Sequence, residues 1–199
     1  DTGFGYETVC DRLSKMTVQM LFLCNPNNPT GQLIDREVLE QVADYCQKTD
    51  TCLLLDECFH DFLEEGSVHT LLPRVKENPK LFVLRAFTKM YGMAGLRLGY
   101  GICSDTELIR RMEQVTQPWN VSVPAQAAGI AAAREQEFVA VSRQMITEQK
   151  KLLLAGLEAA GAKVYGSAAN YIFFRAAPGF DTRMYRAGFM VRNCGNYDG

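Results

Sequence analysis

The sequence has little that would place it in an unusual environment. Its 199 residues carry 21 Lys+Arg against 23 Asp+Glu, so no positive excess marks a nucleic-acid partner. Long apolar runs are missing as well. The longest uncharged stretches, 16–34 and 114–133, are broken by Pro, Asn, Gln or Gly, and neither reads as a membrane span. No charged-then-apolar leader opens the chain, so no secretory signal is expected. There are two histidines, His60 and His69, and seven cysteines with no C-x-x-C pair, which leaves no zinc pattern. The odd cysteine count, with Cys24 and Cys52 inside apolar runs, argues against a disulfide framework. It predicts reduced, mostly buried thiols in a reducing compartment, the cytoplasm. Internal repeats and low-complexity tracts are also lacking. What remains is 47% apolar and 22% charged, the profile of an ordinary globular chain long enough for a real core.

Four short apolar runs, 20–24, 52–55, 81–84 and 98–103, read as buried strands. Between the first two, Val38, Leu39, Val42, Ala43 and Cys46 recur at helical spacing behind the N-cap candidate Asp35. After the fourth, Ser104-Asp-Thr-Glu107 reads as a capping box opening a helix with a buried stripe of Leu108, Ile109, Met112 and Val115. Strands alternating with helices predict an α/β fold with a mostly parallel sheet. Residues 116–124, with Pro118, Pro124 and the single Trp119, read as a connector. Beyond it, 125–161 predicts long helices, and 163–165, 171–175 and 189–192 predict strands. The expected division is therefore 1–118 and a smaller α+β unit, 119–199.

Three clusters carry chemistry. Asn25-Pro-Asn-Asn-Pro-Thr-Gly31 follows the first strand, at the edge of an open sheet where ligands bind. It is either a plain strand-to-helix turn or a turn presenting the Asn28 amide to a ligand oxygen. Asp56 ends the second strand, where a carboxylate is costly unless paired. It either caps the following turn or holds a cationic ring nitrogen in its protonated form. The third cluster runs from Arg85 to Tyr100. In it Lys89 is either a solvated cation or an amine made nucleophilic by apolar surroundings. Thr88 and Arg97 are either surface residues or a hydroxyl-and-fork clamp for a phosphate. His60, Trp119, Lys150-Lys151 and Arg110-Arg111 read as a surface histidine, a packing or cleft-wall indole, and solvated helix faces.

Taken together, N-P-x-N-P-T-G, then D-E ending a strand, then x-x-T-K-x-x-x-x-x-G-x-R-x-G resemble the class I/II aminotransferases. These are pyridoxal-phosphate enzymes of fold type I. The resemblance covers essentially the whole chain. It implies an incomplete three-layer sheet, with 1–118 as part of the large cofactor domain and 119–199 as linker helix and truncated small domain. It implies pyridoxal 5′-phosphate anchored covalently on Lys89, with Asp56 at the pyridine nitrogen and Asn28 at the phenolic oxygen. Thr88 and Arg97 would then hold the cofactor phosphate. It further implies a homodimer.

Two positions depart from the family pattern. Ala86 replaces the Ser or Thr found three residues before the lysine, and Phe59 replaces the Tyr found three residues after the aspartate. Without that hydroxyl the imine proton should be held more tightly, so its pKa should lie above that of Tyr-bearing relatives. A titration of the cofactor-loaded enzyme that Phe59→Tyr leaves unmoved would refute this. Phe59, Pro118-Trp-Asn-Val121, Ala169-Asn-Tyr171 and Val191-Arg-Asn-Cys-Gly-Asn-Tyr197 are similar to the threonine-phosphate decarboxylases of cobalamin biosynthesis. Histidinol-phosphate aminotransferases share most of these motifs. In both groups the arginine matching Arg192 binds the substrate's phosphate, so the implied substrate is a phosphorylated amino compound. The resemblance also implies truncation at both ends, with the glycine-rich phosphate turn missing and cofactor binding weak or absent. A catalytically incompetent fragment is therefore the third reading.

Overall fold

The computed structural model describes residues 6–196. Its elements are α1 (Tyr6–Ser14), β1 (Met20–Cys24), α2 (Arg36–Lys48), β2 (Cys52–Asp56), α3 (Gly66–His69), β3 (Leu81–Ala86) and β4 (Gly99–Ile102). There follow α4 (Thr106–Val115), α5 (Val123–Ala132), α6 (Gln136–Ala159), β5 (Lys163–Gly166), β6 (Phe173–Arg175) and α7 (Phe180–Arg186).

The larger sheet has the order β1-β2-β3-β4. β1, β2 and β3 run parallel, and β4 returns antiparallel to β3. The expected α/β class with a mostly parallel sheet is the one observed. Asp35 caps α2, its Oδ1 accepting from the Glu37 N–H at 2.8 Å. Four residues at helical spacing, Leu39, Val42, Ala43 and Cys46, then face the sheet. They bury against Leu53, Leu55, Leu81 and Val83, with Leu71 and Val75 closing the cluster. Each such leucine contributes on the order of 1.5–3 kcal/mol through burial. A second cluster of Phe62, Met90, Val139 and Ala169 ties α6 to the loops at one end of the sheet. β5 and β6 form a separate antiparallel pair. Among the described residues no helix is long and apolar enough to cross a membrane.

Several local expectations are corrected. Asp105, not Ser104, caps α4, accepting from Glu107 N and Leu108 N at 3.0 Å each. Ser104 Oγ is buried without a partner, and Glu107 turns to Arg110 and Arg111 instead. The stripe of α4 is not buried, for Val115 is 86% exposed. Apolar spacing sets which residues share a face, not whether a layer covers them. Residues 189–192 form no strand; Gly188 (φ +88°) turns the chain after α7 and the backbone beyond it pairs with no strand. Residues 171–172 likewise stay outside β6. Of the seven free cysteines only Cys46 is buried, and the rest are half-buried. Trp119 is 94% exposed and does not pack in the core. His60 is buried rather than on the surface. Lys150 is not solvated but turns inward, donating to the carbonyls of Ser167, Ala168 and Ala169 at 2.7, 3.4 and 3.1 Å.

Candidate functional site

The parallel register decides where the chemistry-bearing residues fall. Cys24, Asp56 and Leu84 are level neighbours across β1, β2 and β3, so all three strands end at one edge. The ladder continues one step further: Asn25 N donates to Asp56 O at 2.9 Å and Glu57 N to Leu84 O at 3.0 Å. β4 is antiparallel, so its beginning meets the end of β3. Phe87 N donates to Leu98 O at 3.2 Å, which delivers Arg97 to the edge where Thr88 and Lys89 leave β3. Four of the motif's residues thus reach one sheet edge through strand direction alone, the edge at which open α/β sheets bind ligands.

The Asn25–Gly31 turn supports itself. Asn27 Oδ1 accepts from Thr30 Oγ1 at 2.9 Å, Gly31 N donates to Asn27 O at 2.8 Å, and Asn25 Oδ1 accepts from Ile34 N at 2.8 Å. Among the described residues the exposed Asn28 side chain makes no hydrogen bond. Asp56 is half-buried, and its Oδ1 accepts from the Cys58 N–H at 2.9 Å. This is the turn-capping contact.

Two thiols feel the charges of both Asp56 and Lys89. Cys58 is pushed up to about 12, by burial first, then by hydrogen bonding to Asp56 and by its charge, with Lys89 acting the other way. Cys24 is raised chiefly by burial, and it too feels both charges. Lys89 Nζ lies 5.2 Å from the centroid of the Phe59 ring. Lys89 itself is exposed, which corrects the expectation of an amine desolvated by apolar surroundings. Thr88 Oγ1, next to it, is buried without a partner. Arg97 is exposed and left-handed at φ +56°, its Nη1 donating to Ala94 O at 3.1 Å.

Arg192 lies apart from these groups. It lines a cleft of about 740 Å³ together with Asn28, Tyr171, Arg175 and Asp181. Lys89 and Asp56 are outside that lining, and the cleft meets their edge through Asn28 and Tyr171. Asp181 is held below the usual carboxylate range by the Asn193 amide, 2.8 Å away. Tyr197 lies outside the described residues.

Sequence reasoning missed the network behind Asp56. Glu57, fully buried, accepts on Oε2 from Arg85 Nε at 2.9 Å and Thr70 Oγ1 at 2.8 Å and forms an ion pair with Arg85 Nη2 at 2.6 Å, while that Nη2 donates to Thr70 Oγ1 at 3.0 Å. Its Oε1 accepts from Leu71 N at 3.1 Å, and Arg85 reaches on to Asp61 at 3.2 Å. Opposite charges at the ends of two neighbouring apolar strands were the available clue.

Residues 3–187 match the family described as aminotransferase class I and II. The chain belongs to that family. This aminotransferase-family chain is 35% identical over 183 residues to the threonine-phosphate decarboxylase of Salmonella typhimurium, covering 90% of itself and 50% of that protein. It is 32% identical over 191 residues to histidinol-phosphate aminotransferase 2 of Archaeoglobus fulgidus, covering 95% and 53%. It spans about half the length of the relatives it matches. Among solved structures, a histidinol-phosphate aminotransferase from Clostridium acetobutylicum gives a TM-score of 0.91 at 26% identity, over 100% of this chain and 61% of that one. The L-threonine-O-3-phosphate decarboxylase of Porphyromonas gingivalis shares the fold, with a TM-score of 0.77 at 24% identity, over 94% and 58%.

Proposed function

We propose that this chain carries the covalent anchor for pyridoxal 5′-phosphate and acts on an amino acid bearing a phosphate, as a decarboxylase of the threonine-phosphate type. The observation that carries the reading is Thr88 Oγ1, a buried hydroxyl without a partner, beside an exposed lysine and an exposed arginine at one sheet edge. A buried polar group left unpaired is costly, and the acceptor it lacks is the kind a phosphate supplies.

In this reading Lys89 Nζ would hold the cofactor covalently through its aldehyde carbon, with loss of water, and would be the atom that holds or delivers a proton. Asp56 accepts a hydrogen bond from the protonated ring nitrogen, and the Asn28 amide donates to the phenolic oxygen. The Thr88 hydroxyl and the Arg97 guanidinium donate to the cofactor phosphate. When bound, the cofactor supplies an electron-withdrawing ring that weakens the bonds of that α-carbon. Arg192 donates to the substrate's own phosphate across the cleft it shares with Asn28. The division into 1–118, the cofactor-binding part, and 119–199, linker helix and small domain, belongs to the same proposal. Its support is that β1–β4 lie wholly in the former and β5–β6 in the latter. A homodimer is likewise part of it.

A second reading, a histidinol-phosphate-type aminotransferase, is favoured by the match to the Clostridium acetobutylicum structure. Product analysis with phosphothreonine, histidinol phosphate and aspartate separates the two. Carbon dioxide release without a keto-acid requirement is expected for the first, and keto-acid-dependent amino transfer overturns it. Selective borohydride trapping of pyridoxal phosphate on Lys89, read by peptide mass spectrometry, separates both from a fragment that keeps the fold without the chemistry.

A further inference from the structure

Tyr171 has no place in the proposal so far, yet it touches both sides of the candidate site. Its hydroxyl donates to the Asn27 carbonyl at 2.8 Å, across 144 residues of sequence. Its ring meets Phe59 edge-on, with centroids 5.1 Å apart and planes at 85°. Phe59 in turn carries the Lys89 ammonium 5.2 Å from its centroid. One half-buried side chain therefore bears on the peptide that precedes Asn28 and on the ring beneath Lys89.

The segment leading to Tyr171 is itself held on two sides. Lys150 gathers the carbonyls of Ser167, Ala168 and Ala169, and Ala168 N donates to Gly31 O at 2.9 Å. Ala169 is fully buried. Tyr171 thus approaches the Asn25–Gly31 turn from a fixed platform rather than from a free loop. Burial first, then the neighbouring Cys24 and Asp56, raises the phenol above its ordinary range, so it remains a neutral O–H donor.

We infer that Tyr171 is a positioning residue for the cofactor anchor, its hydroxyl fixing the Asn27–Asn28 peptide and its ring edge fixing the Phe59 plane on which Lys89 rests. The inference rests on the reading of Lys89 as anchor. A phenol in this place partly makes up for Phe59. The hydroxyl absent from residue 59 is not restored, but the turn carrying the Asn28 donor and the ring carrying the lysine are locked by one group. A role confined to packing would need only the ring.

The test uses pulsed borohydride reduction with pyridoxal 5′-phosphate, comparing labelling of Lys89 with that of exposed Lys151 by peptide mass spectrometry. Tyr171→Phe keeps the ring and removes the hydrogen bond. The Lys89-to-Lys151 labelling ratio is expected to fall about 2- to 12-fold, the range of one hydrogen bond. Tyr171→Leu, which removes both contacts, should lower it further, and Phe59→Leu should lower it from the other side. Thermal melts followed by circular dichroism confirm that each variant folds. Should Tyr171→Phe not fold, Phe59→Leu decides alone. A preference for Lys89 that survives the variants with its ratio unchanged, even alongside a lower melting temperature, overturns the inference alone. Equal labelling of both lysines in the unaltered chain overturns the assignment of Lys89 and the inference with it.

Discussion

A hydroxyl buried without a partner is a small defect in a folded chain, and at Thr88 it gives a test that separates binding from stability. Replacing Thr88 by Val keeps the shape and removes an unsatisfied group. Folding stability should stay within about 0.5 kcal/mol of the unaltered chain or rise slightly, as urea denaturation would show. Labelling of Lys89 by pyridoxal phosphate should fall at least tenfold, roughly the loss of one hydrogen bond to a charged acceptor. Glu57 and Arg85 are the opposite case, since both are buried and every near contact is made. Arg85→Met leaves the Glu57 carboxylate buried without its counter-charge and should cost about 3–5 kcal/mol. Adding Glu57→Gln to Arg85→Met should recover part of that loss, because the uncompensated charge is gone. A double variant no more stable than Arg85→Met, by urea denaturation, would show that shape rather than charge holds this turn.

Helix α4 shows what a charged surface cluster does to its element. Arg110 and Arg111 hold the Glu107 carboxyl down at about 2, well below its ordinary 4.5. A carboxylate whose folded pKa lies below its unfolded value stabilises fully above the unfolded one. That contribution is lost as the pH falls from about 4.5 through about 2. Glu107→Gln should therefore flatten the acid limb of stability in that window, lowering stability slightly at pH 7 and leaving it unchanged near pH 2, as urea midpoints between pH 2 and 7 would show. Element by element, the sequence was most legible where burial and period agree. β2 starts at Cys52 and α2 begins after Asp35 as read, whereas β1 keeps its expected span, Met20–Cys24, but is not the buried strand expected, with Phe22 65% exposed. It was least legible where partners lie far along the chain. The apolar run at 189–192 formed no strand, Ser104 lost the capping position to Asp105, and Lys150 found carbonyls 17 to 19 residues away. The motif placed Asn28, Asp56, Thr88, Lys89 and Arg97 along the chain. Strand direction brought their segments to one edge, and no local pattern announced the Glu57–Arg85 pair or the reach of Tyr171.

At the scale of the whole molecule the question is what fastens the four-stranded sheet to the β5–β6 unit. The tightest approach is backbone to backbone. A Cβ built on Gly31 would stand 2.9 Å from the Gly166 carbonyl carbon, and one built on Gly166 would run into the Thr30 carbonyl oxygen. Gly31 also holds φ +64°, a conformation that side chains disfavour. Only glycine on both sides lets Ala168 N reach Gly31 O at 2.9 Å. Gly166→Ala must therefore push the strand off the turn, with an expected loss of about 1–3 kcal/mol from overpacking. Gly156, inside α6, has nothing within 4 Å of its missing Cβ. There the same change should gain up to about 1 kcal/mol, because alanine favours the helix. Two substitutions of identical chemistry are thus expected to move the urea midpoint in opposite directions. If Gly166→Ala proved as harmless as Gly156→Ala, the turn and β5 would not be in contact in solution, and the path from Tyr171 to Lys89 would have no footing.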